Sequence, residues 1–283
     1  MIRYLEHKYI DYSKWDFCLS KSSNNLVYAN SWYLNLVCDD WDALVLNDYD
    51  AIMPLPKRKK WGVCYIYQPF FCQQLGVFSN DNNLEVDSFL ESIPTCFKYV
   101  RLNLNSENIS HKYCIKENIN YLLELEKIEK LELFFSDNTK RNLRKSQGQN
   151  MIVEELLDVE DLDCFINKFS KIPSDILKDY KSFLCKSNKK ESFKHYGVFL
   201  SDRLLASVFI VENQDRIIYL NGVVNEIGKK NGAMHYLFQY LFQLYEGKTF
   251  DFEGSNIEGV ARFYKGFGAK PKPYQTIKID DKE

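Results

Sequence analysis

The chain has 283 residues, of which 45% are hydrophobic and 27% are charged, so neither a disordered nor a fibrous protein is expected. Its formal net charge of −2 and isoelectric point near 6.2 exclude a global cationic field that would collect nucleic acid or anionic membrane. Single hydrophobic cores rarely grow past about 250 residues, so two domains are expected.

Targeting and metal-binding signals are missing from the sequence. The segment from Met1 to Lys8 lacks the apolar core of a signal peptide, and no apolar run approaches the roughly 18 residues of a membrane-spanning helix. Eight cysteines are scattered singly, without a C-x-x-C pair or a histidine at zinc spacing. We therefore predict a cytoplasmic protein with reduced thiols, no membrane span and no metal site. The oligomeric state is left open.

The first half begins with strands and helices in alternation. A strand within residues 2–10 and two helical patterns precede a hairpin around Asn47-Asp48, in which Pro54 and Pro56 are expected to end the second strand. We interpret the basic run 57–60 as a solvated loop, with a polyanion contact as the alternative. There follow a strand over 63–68, an apolar loop over 69–78 that fills the core or lies against a groove, a helix near 84–92, a strand near 97–104 and a hairpin across 112–125.

A basic helix opens the second half. Cap-forming residues from Ser136 to Thr139 precede four cations, at Lys140, Arg141, Arg144 and Lys145. These cations form two i, i+4 pairs of like charge, and each pair costs a few tenths of a kcal/mol. The pattern is consistent with a site for an anionic substrate and equally with a solvated basic face.

The rest of the second half is predicted from its periodicity. The patterns predict a strand over 151–155, helices near 159–169 and 174–186, an antiparallel meander over 195–224, a long helix over 231–245, a short strand and helix over 250–267, and a final strand over 272–279.

The two halves show a weak internal repeat. The turns Asn47-Asp48 and Ser201-Asp202 occupy equivalent places in them.

The short strand and helix near the C-terminus carry several local signals. Ser255 and Glu258 have the spacing of a capping box, and Gly268 lies where a left-handed C-cap is expected. Asp251 and Glu253 alternate on the strand, so they are expected to share one face. The apolar stripe of the helix is formed by Val260, Phe263, Tyr264 and Phe267.

Two segments resemble a known family. The sequence Asp-Phe-Glu-Gly-Ser from Asp251, followed by Ala-Arg-Phe-Tyr-Lys-Gly-Phe-Gly-Ala from Ala261, is similar to the last strand and helix of the GNAT-like acyltransferases, in particular the branch with the Fem peptidyltransferases of peptidoglycan bridge synthesis. The run Lys-Arg-Asn-Leu-Arg-Lys from Lys140 resembles the Fem pattern, apart from its first lysine. The resemblance covers about 136–279. It implies an α+β (mixed α/β) protein of two tandem GNAT-like domains, 1–135 and 136–283, each a mixed, mostly antiparallel sheet flanked by helices.

The resemblance implies transfer of an activated acyl or aminoacyl group to an amine acceptor, in cell-envelope or small-molecule metabolism. The donor would be an acyl-CoA or an aminoacyl-tRNA, which makes tRNA a partner, and no permanently bound cofactor is expected. GNAT-like enzymes hold the donor pyrophosphate on amides at a Gly-rich helix start, where the helix dipole attracts anions. The corresponding residues here are Lys229, Lys230, Gly232 and Ala233, although Met234 departs from the family pattern.

Glu253 and Asp251 are the candidate catalytic bases, because mutual repulsion between two carboxylates favours protonation of one of them. The alternative is that these carboxylates accept hydrogen bonds from amide N–H groups or form an ion pair with Arg262. Asn221, at the end of a central strand, and Lys265, on the polar side of the last helix, are candidate donor contacts. A catalytically degenerate GNAT protein with a binding or scaffolding role is the alternative function.

Overall fold

The computed structural model describes residues 1–81, 84–156, 165–166, 168–169, 174–187 and 190–280, with only the backbone described over 174–179. Most of the helix predicted near 159–169 lies outside the described residues. The chain forms two compact units: Met1–Ile119 with the C-terminal stretch from Pro273, and Asn120–Lys272. The domain division between residues 135 and 136 stays a prediction.

The described strands are β1 (Ile2–Leu5), β2 (Trp41–Leu46), β3 (Ala51–Lys60), β4 (Val63–Ile66), β5 (Phe78–Ser79), β6 (Phe97–Asn103), β7 (Cys114–Glu124), β8 (Met151–Glu155), β9 (Phe193–Leu200), β10 (Arg203–Asn213), β11 (Arg216–Val224), β12 (Thr249–Asp251) and β13 (Lys270–Asp280). The described helices are α1 (Tyr12–Lys21), α2 (Ser31–Val37), α3 (Val86–Glu91), α4 (Ile128–Phe134), α5 (Asp137–Gln147), α6 (Ser174–Ser187), α7 (Glu226–Asn231), α8 (Ala233–Leu244) and α9 (Glu258–Gly266).

The first unit is built on a mixed sheet with the strand order β1-β2-β3-β4-β6-β13. Its pairs are antiparallel except for β4 and β6, which are parallel. The basic run 57–60 is part of β3, so the loop interpretation is wrong. The expected hairpin across 112–125 is also wrong, because β7 is one uninterrupted strand.

Strand β3 continues through two prolines that were expected to end it. Pro54 and Pro56 lie opposite Ala43 and Trp41 of β2. On its other edge, β3 pairs with β5 only at 51–52 and with β4 only at 57–60. The prolines therefore occupy the part of that edge that has no ladder partner, where a missing N–H removes no hydrogen bond.

The second unit has the strand order β7-β12-β11-β10-β9-β8, in which only β11 and β12 are parallel. Strand β8 is confirmed at its predicted bounds, and the meander of β9, β10 and β11 is also confirmed. The predicted long helix is confirmed as α8, and Gly232, with a φ of +73°, separates it from the short helix α7 that precedes it. The break lets α7 and α8 take different directions.

An aromatic cluster on α8 forms the core of the second unit. The Phe238 ring lies 5.7 Å from Phe250 and 5.6 Å from both Phe252 and Phe267, measured between ring centroids. Aromatic pairs at these separations add about 0.5–1.5 kcal/mol each to the burial of their surfaces. The cluster confirms the predicted apolar stripe of α9, because Phe263, Tyr264 and Phe267 all pack on it.

The start of α9 differs from the predicted capping box. The helix begins at Glu258, and Ser255 Oγ accepts a hydrogen bond from the Ile257 amide, at 3.0 Å, instead of bonding to the helix. Glu258 pairs with Arg262 at 2.6 Å. The cause is a turn at Glu253 and Gly254, whose φ angles of 53° and 60° redirect the chain before the helix. Gly268, with a φ of +84°, is confirmed as left-handed.

His195 makes the stability of the second unit sensitive to acid. It is 4% exposed and stacks on Phe209 at 4.1 Å. Burial lowers the pKa of His195 from 6.5 to about 4. Since the unfolded chain then binds the proton more tightly, stability is complete above pH 6.5 and falls as the pH drops towards 4. By linkage, the loss attributable to His195 is about 2–3 kcal/mol between pH 7.5 and 4.5.

The measurement is urea unfolding across this pH range, for the native protein and for His195→Phe, which keeps an aromatic ring on Phe209. Acidification should destabilise the variant less than the native protein by this amount. His235, whose pKa burial also lowers to about 4, is present in both proteins and cancels in the comparison. Equal pH dependence of the two proteins would disprove the assignment to His195.

Candidate active site

The parallel strands β11 and β12 diverge at their carboxyl ends. Arg216, Ile217 and Ile218 of β11 pair with Thr249, Phe250 and Asp251, after which β12 ends and β11 continues to Val224. In open α/β sheets, ligands bind in the crevice outside the carboxyl ends of the parallel strands. The segment after Asp251 and the second half of β11 are therefore the place to look for a site.

A β-bulge determines which face of the sheet the side chains of this part of β11 occupy. Asn221 lies opposite Phe209, whereas Tyr219 lies opposite Ile210, so Leu220 is an extra residue. Because Phe209 and Ile210 are adjacent on β10, their partners face opposite sides of the sheet. Tyr219 packs on Phe238 of α8 at 5.2 Å.

Asn221, the predicted donor contact, consequently points towards α6. Its Nδ2 donates a hydrogen bond to the Tyr180 hydroxyl at 3.0 Å. Asn221 thus lies on the other face of the sheet from Tyr219, and its role as a donor contact stays a prediction.

Asp251 is a buried carboxylate held by three donors. It is 1% exposed, and its Oδ1 accepts from Asn120 Nδ2 and from the Glu253 amide, both at 2.9 Å. Its Oδ2 accepts from Arg216 Nη1 at 3.1 Å. Burial raises the pKa of Asp251, and the Arg216 charge together with the hydrogen bonds opposes this rise. With its oxygens occupied in this way, Asp251 orients the chain at Glu253.

Glu253 lies outside β12, in the left-handed region with a φ of 53°. The two carboxylates therefore do not alternate on one strand, and the expected shared face is wrong. The Glu253 carboxylate is close enough to two phenols to act on them: burial and then the Glu253 charge raise the pKa of Tyr264, and Glu253 also contributes to the raised pKa of Tyr219. Both hydroxyls are protonated at neutral pH and can donate hydrogen bonds.

Lys265 borders the same group of side chains. It is exposed on α9, and its Nζ lies 5.6 Å from the centre of the Tyr121 ring. Tyr121 in turn lies 6.0 Å from Tyr264, between ring centroids. The structure therefore brings the predicted residues Glu253 and Lys265 to one region, together with Tyr219, Tyr264 and Tyr121.

The predicted phosphate turn is packed against another helix. A Cβ on Gly232 would lie 2.7 Å from the Asn142 carbonyl oxygen of α5, and Ala233 is fully buried. Helix α5 thus lies against the Gly232 backbone, where a pyrophosphate was expected to lie. Lys229 pairs with Glu226 at 2.5 Å, and Lys230 is exposed. The donor-binding role of this turn stays a prediction.

The basic helix α5 is confirmed from Asp137 to Gln147, with the Ser136 hydroxyl accepting from the Thr139 amide as its cap. Of its four cations, Arg141, Arg144 and Lys145 are exposed and Lys140 is partly exposed. Because Asn142 contacts Gly232, the cations of α5 and those of α7 lie on helices that touch. The two predicted anion-binding groups therefore belong to neighbouring surfaces.

Sequence reasoning missed Asn120, Tyr121 and Arg216. One signal was available for Asn120, because asparagine is depleted in strands and its presence within β7 suggests a specific partner. Nothing local marks the other two, since their roles depend on the pairing of β7, β11 and β12. Among the described residues, no helix is long and apolar enough to cross a membrane, and no group of three or more His, Cys, Asp or Glu side chains could hold a metal ion.

No protein-family model and no curated protein sequence matches the chain. Among solved structures, the chain is similar to FemX, with a TM-score of 0.66, 12% identity and 97% of each chain covered. It is also similar to a tandem GNAT protein from the clavulanic acid biosynthesis pathway, with a TM-score of 0.58, 6% identity, and 100% of this chain and 99% of that chain covered. A GNAT-family acetyltransferase from Colwellia psychrerythraea covers 100% of each chain with a TM-score of 0.53 and 10% identity.

These likenesses show the fold. The predicted fold class is confirmed: the protein has the GNAT-like fold, with mixed sheets flanked by helices, and its solved neighbours include a tandem GNAT protein and FemX.

Proposed function

We propose that the protein is an N-acyltransferase that moves an activated acyl or aminoacyl group onto an amine. The observation that carries the proposal is the group of side chains beyond the carboxyl end of β12, where the Glu253 charge acts on the protonated phenols of Tyr219 and Tyr264 and the exposed Lys265 lies against the Tyr121 ring. Solved structures with this fold include a GNAT-family acetyltransferase, a tandem GNAT protein and FemX, which supports the reaction class.

The side chains fit the needs of acyl transfer to an amine. The amine nitrogen attacks the donor carbonyl carbon, a C–N bond forms, and the C–S or C–O bond to the carrier breaks. Glu253 is placed to accept the proton that the amine loses. Tyr219 and Tyr264 are placed to donate hydrogen bonds to the developing oxyanion or to protonate the leaving group. Lys265 would hold an anionic group of the donor or the acceptor.

The donor would be an acyl-CoA or an aminoacyl-tRNA in the cytoplasm. The cations of α5 and α7 lie on two touching helices, and those that are exposed would bind the phosphates of either donor. Since α5 occupies the approach to Gly232, we infer that phosphates bind on the exposed cations of these helices rather than against the Gly232 backbone.

The test is a thermal-shift assay of the full chain with a panel of acyl-CoAs and aminoacyl-tRNAs, followed by mass spectrometry of amine acceptors. At least one donor should stabilise the protein, by about 2.7 kcal/mol at a hundred times its Kd, and a new amide should appear. Free CoA and uncharged tRNA separate recognition of the carrier from recognition of the acyl group. Absence of stabilisation by every donor would refute the proposal.

One observation favours a second function. The packing of α5 leaves no space for a phosphate against the Gly232 backbone, which supports a catalytically degenerate GNAT protein that serves in binding or scaffolding. For such a protein, Glu253→Gln and Lys265→Ala should leave cellular function intact. Loss of function in both, with normal folding, would exclude it.

A further inference from the structure

The first unit contains a cavity of about 650 Å³, within the 300–1,000 Å³ range of small-molecule sites. It lies at the amino ends of the parallel strands β4 and β6 and at the carboxyl end of β3. The side chains that matter for its chemistry are Tyr4, Asp42, Lys57, Lys59, Cys64 and Phe97. This cavity shares no residue with the candidate active site beside β12.

The curl of the sheet closes one side of the cavity. Tyr4 is on β1 and Phe97 is on β6, four places away in the strand order. In a flat sheet, four steps would separate them by about 19 Å. Their rings nevertheless meet edge to face at 6.1 Å between centroids. The strands must curve strongly, and the two rings supply an apolar wall.

A buried ion pair forms the floor. The Asp42 side chain is fully buried and accepts from Tyr4 Oη at 2.5 Å, from the His7 amide at 2.9 Å and from Lys57 Nζ at 2.7 Å. Lys57 also pairs with Asp40 at 3.1 Å. Burial works to lower the pKa of Lys57, but its bonds to Asp42 and Asp40 raise it overall. The ammonium group is therefore charged and fixed in position.

The charges that line the cavity do not cancel. Asp40 and Asp42 are paired with Lys57, and Asp39 is paired with Arg58 at 3.3 Å. Lys60 Nζ lies 4.7 Å from the centre of the Trp61 ring. Lys59, opposite Cys64 in the ladder, has neither a carboxylate nor a ring partner among the described residues. The lining therefore carries four cations against three carboxylates, and Lys59 is left at the cavity without a partner among the described residues.

We propose that this cavity binds a small organic oxyanion, a phosphate or a carboxylate carried on an apolar body. The anionic group pairs with Lys59, and the apolar body packs against Tyr4 and Phe97. The ion pairs around Lys57 hold these walls in place before the ligand arrives, so little ordering is needed on binding. This site stands independently of the acyl transfer proposed above.

Binding is measured by isothermal titration with phenyl phosphate, benzoate and phenol, which carry one ring and differ in charge. Both anions should bind saturably. Whichever of phenyl phosphate and benzoate binds more tightly shows whether the site prefers a phosphate or a carboxylate. Phenol, which has no charge, should bind at least tenfold more weakly. Lys59→Glu should weaken the tighter anion at least tenfold. Lys116→Glu, the same charge change at an exposed residue of this unit outside the cavity, should not.

Cysteine alkylation locates the ligand without any variant. Cys96 lines the cavity and is exposed. Cys185 on α6 is also exposed but belongs to the second unit and does not line the cavity, so it serves as the reference in the same sample. The tighter anion should slow alkylation of Cys96 by iodoacetamide at least threefold relative to Cys185. Three results would each overturn the proposal: equal loss of anion affinity in the two lysine variants, equal affinity for phenol and for the anions, or an alkylation rate of Cys96 that the anion does not change. The alkylation measurement needs no variant, so it remains valid even if Lys59→Glu fails to fold.

Discussion

Glutamine in place of Glu253 is expected to lower the rate of acyl transfer by about 10²- to 10⁴-fold, the range typical of general acid–base catalysis. The amide has the shape of the carboxylate but cannot accept the proton of the amine. Because the backbone N–H of Glu253 donates a hydrogen bond to the Asp251 carboxylate, which the substitution does not touch, the variant should keep the local conformation. The measurement is kcat and KM for the donor found in the panel, with the expected loss mainly in kcat.

Glu258→Gln is the matched control for this experiment. It makes the same chemical change on the same segment, but the Glu258 side chain is 87% exposed and paired with Arg262. Its rate should stay within about twofold of the native rate, since surface substitutions of this kind change little. If Glu253→Gln retained native kcat with a donor that binds, Glu253 would not be the base, although binding of the donor would still stand.

Alanine in place of Asp251 is expected to reduce the free energy of unfolding by about 3–5 kcal/mol, the usual loss when one partner of a buried ion pair is removed. Three donors would lose their acceptor: the Asn120 amide group, the Glu253 amide and the Arg216 guanidinium. The strained turn at Glu253 would also lose its anchor. Urea unfolding at pH 7.5, followed by circular dichroism, measures the change.

Two further variants separate the causes. Asp251→Asn keeps an oxygen for Asn120 and the Glu253 amide but presents an amide to Arg216, so an intermediate loss is expected. Glu258→Ala breaks an exposed ion pair in the same unit, and exposed pairs contribute only about 0.2–1 kcal/mol. A loss below about 1 kcal/mol for Asp251→Ala would show that the network is not a structural anchor.

Several features were predictable because they depend on residues within one turn or one strand. The stripe on α9, the left-handed Gly268 and the bounds of β8 all follow from local periodicity or from the freedom of a glycine. The basic helix followed from the cap at Ser136. The order of these elements, with two motif resemblances, was enough to predict the GNAT-like fold.

The errors occurred where the outcome depends on a neighbour that is distant in the chain. The prolines of β3 are tolerated only because β4 and β5 leave that edge unpaired. The capping box at Ser255 failed because the turn at Glu253 is held by Asp251, whose carboxylate is itself held by the distant residues Asn120 and Arg216. Neither the unpaired edge of β3 nor the distant partners of Asp251 can be read from a window of a few residues.

The candidate site shows the same division. The sequence by itself determined which chemical groups the chain offers near its last strand and helix, namely the carboxylates Asp251 and Glu253 and the ammonium of Lys265. Only the tertiary structure decided their roles: Asn120, 131 residues away from Asp251, helps to hold that carboxylate as an anchor, which leaves Glu253 beside the phenols. The physical reason is that burial and hydrogen-bond partners determine what a carboxylate can do, and both are set by strand register rather than by sequence spacing.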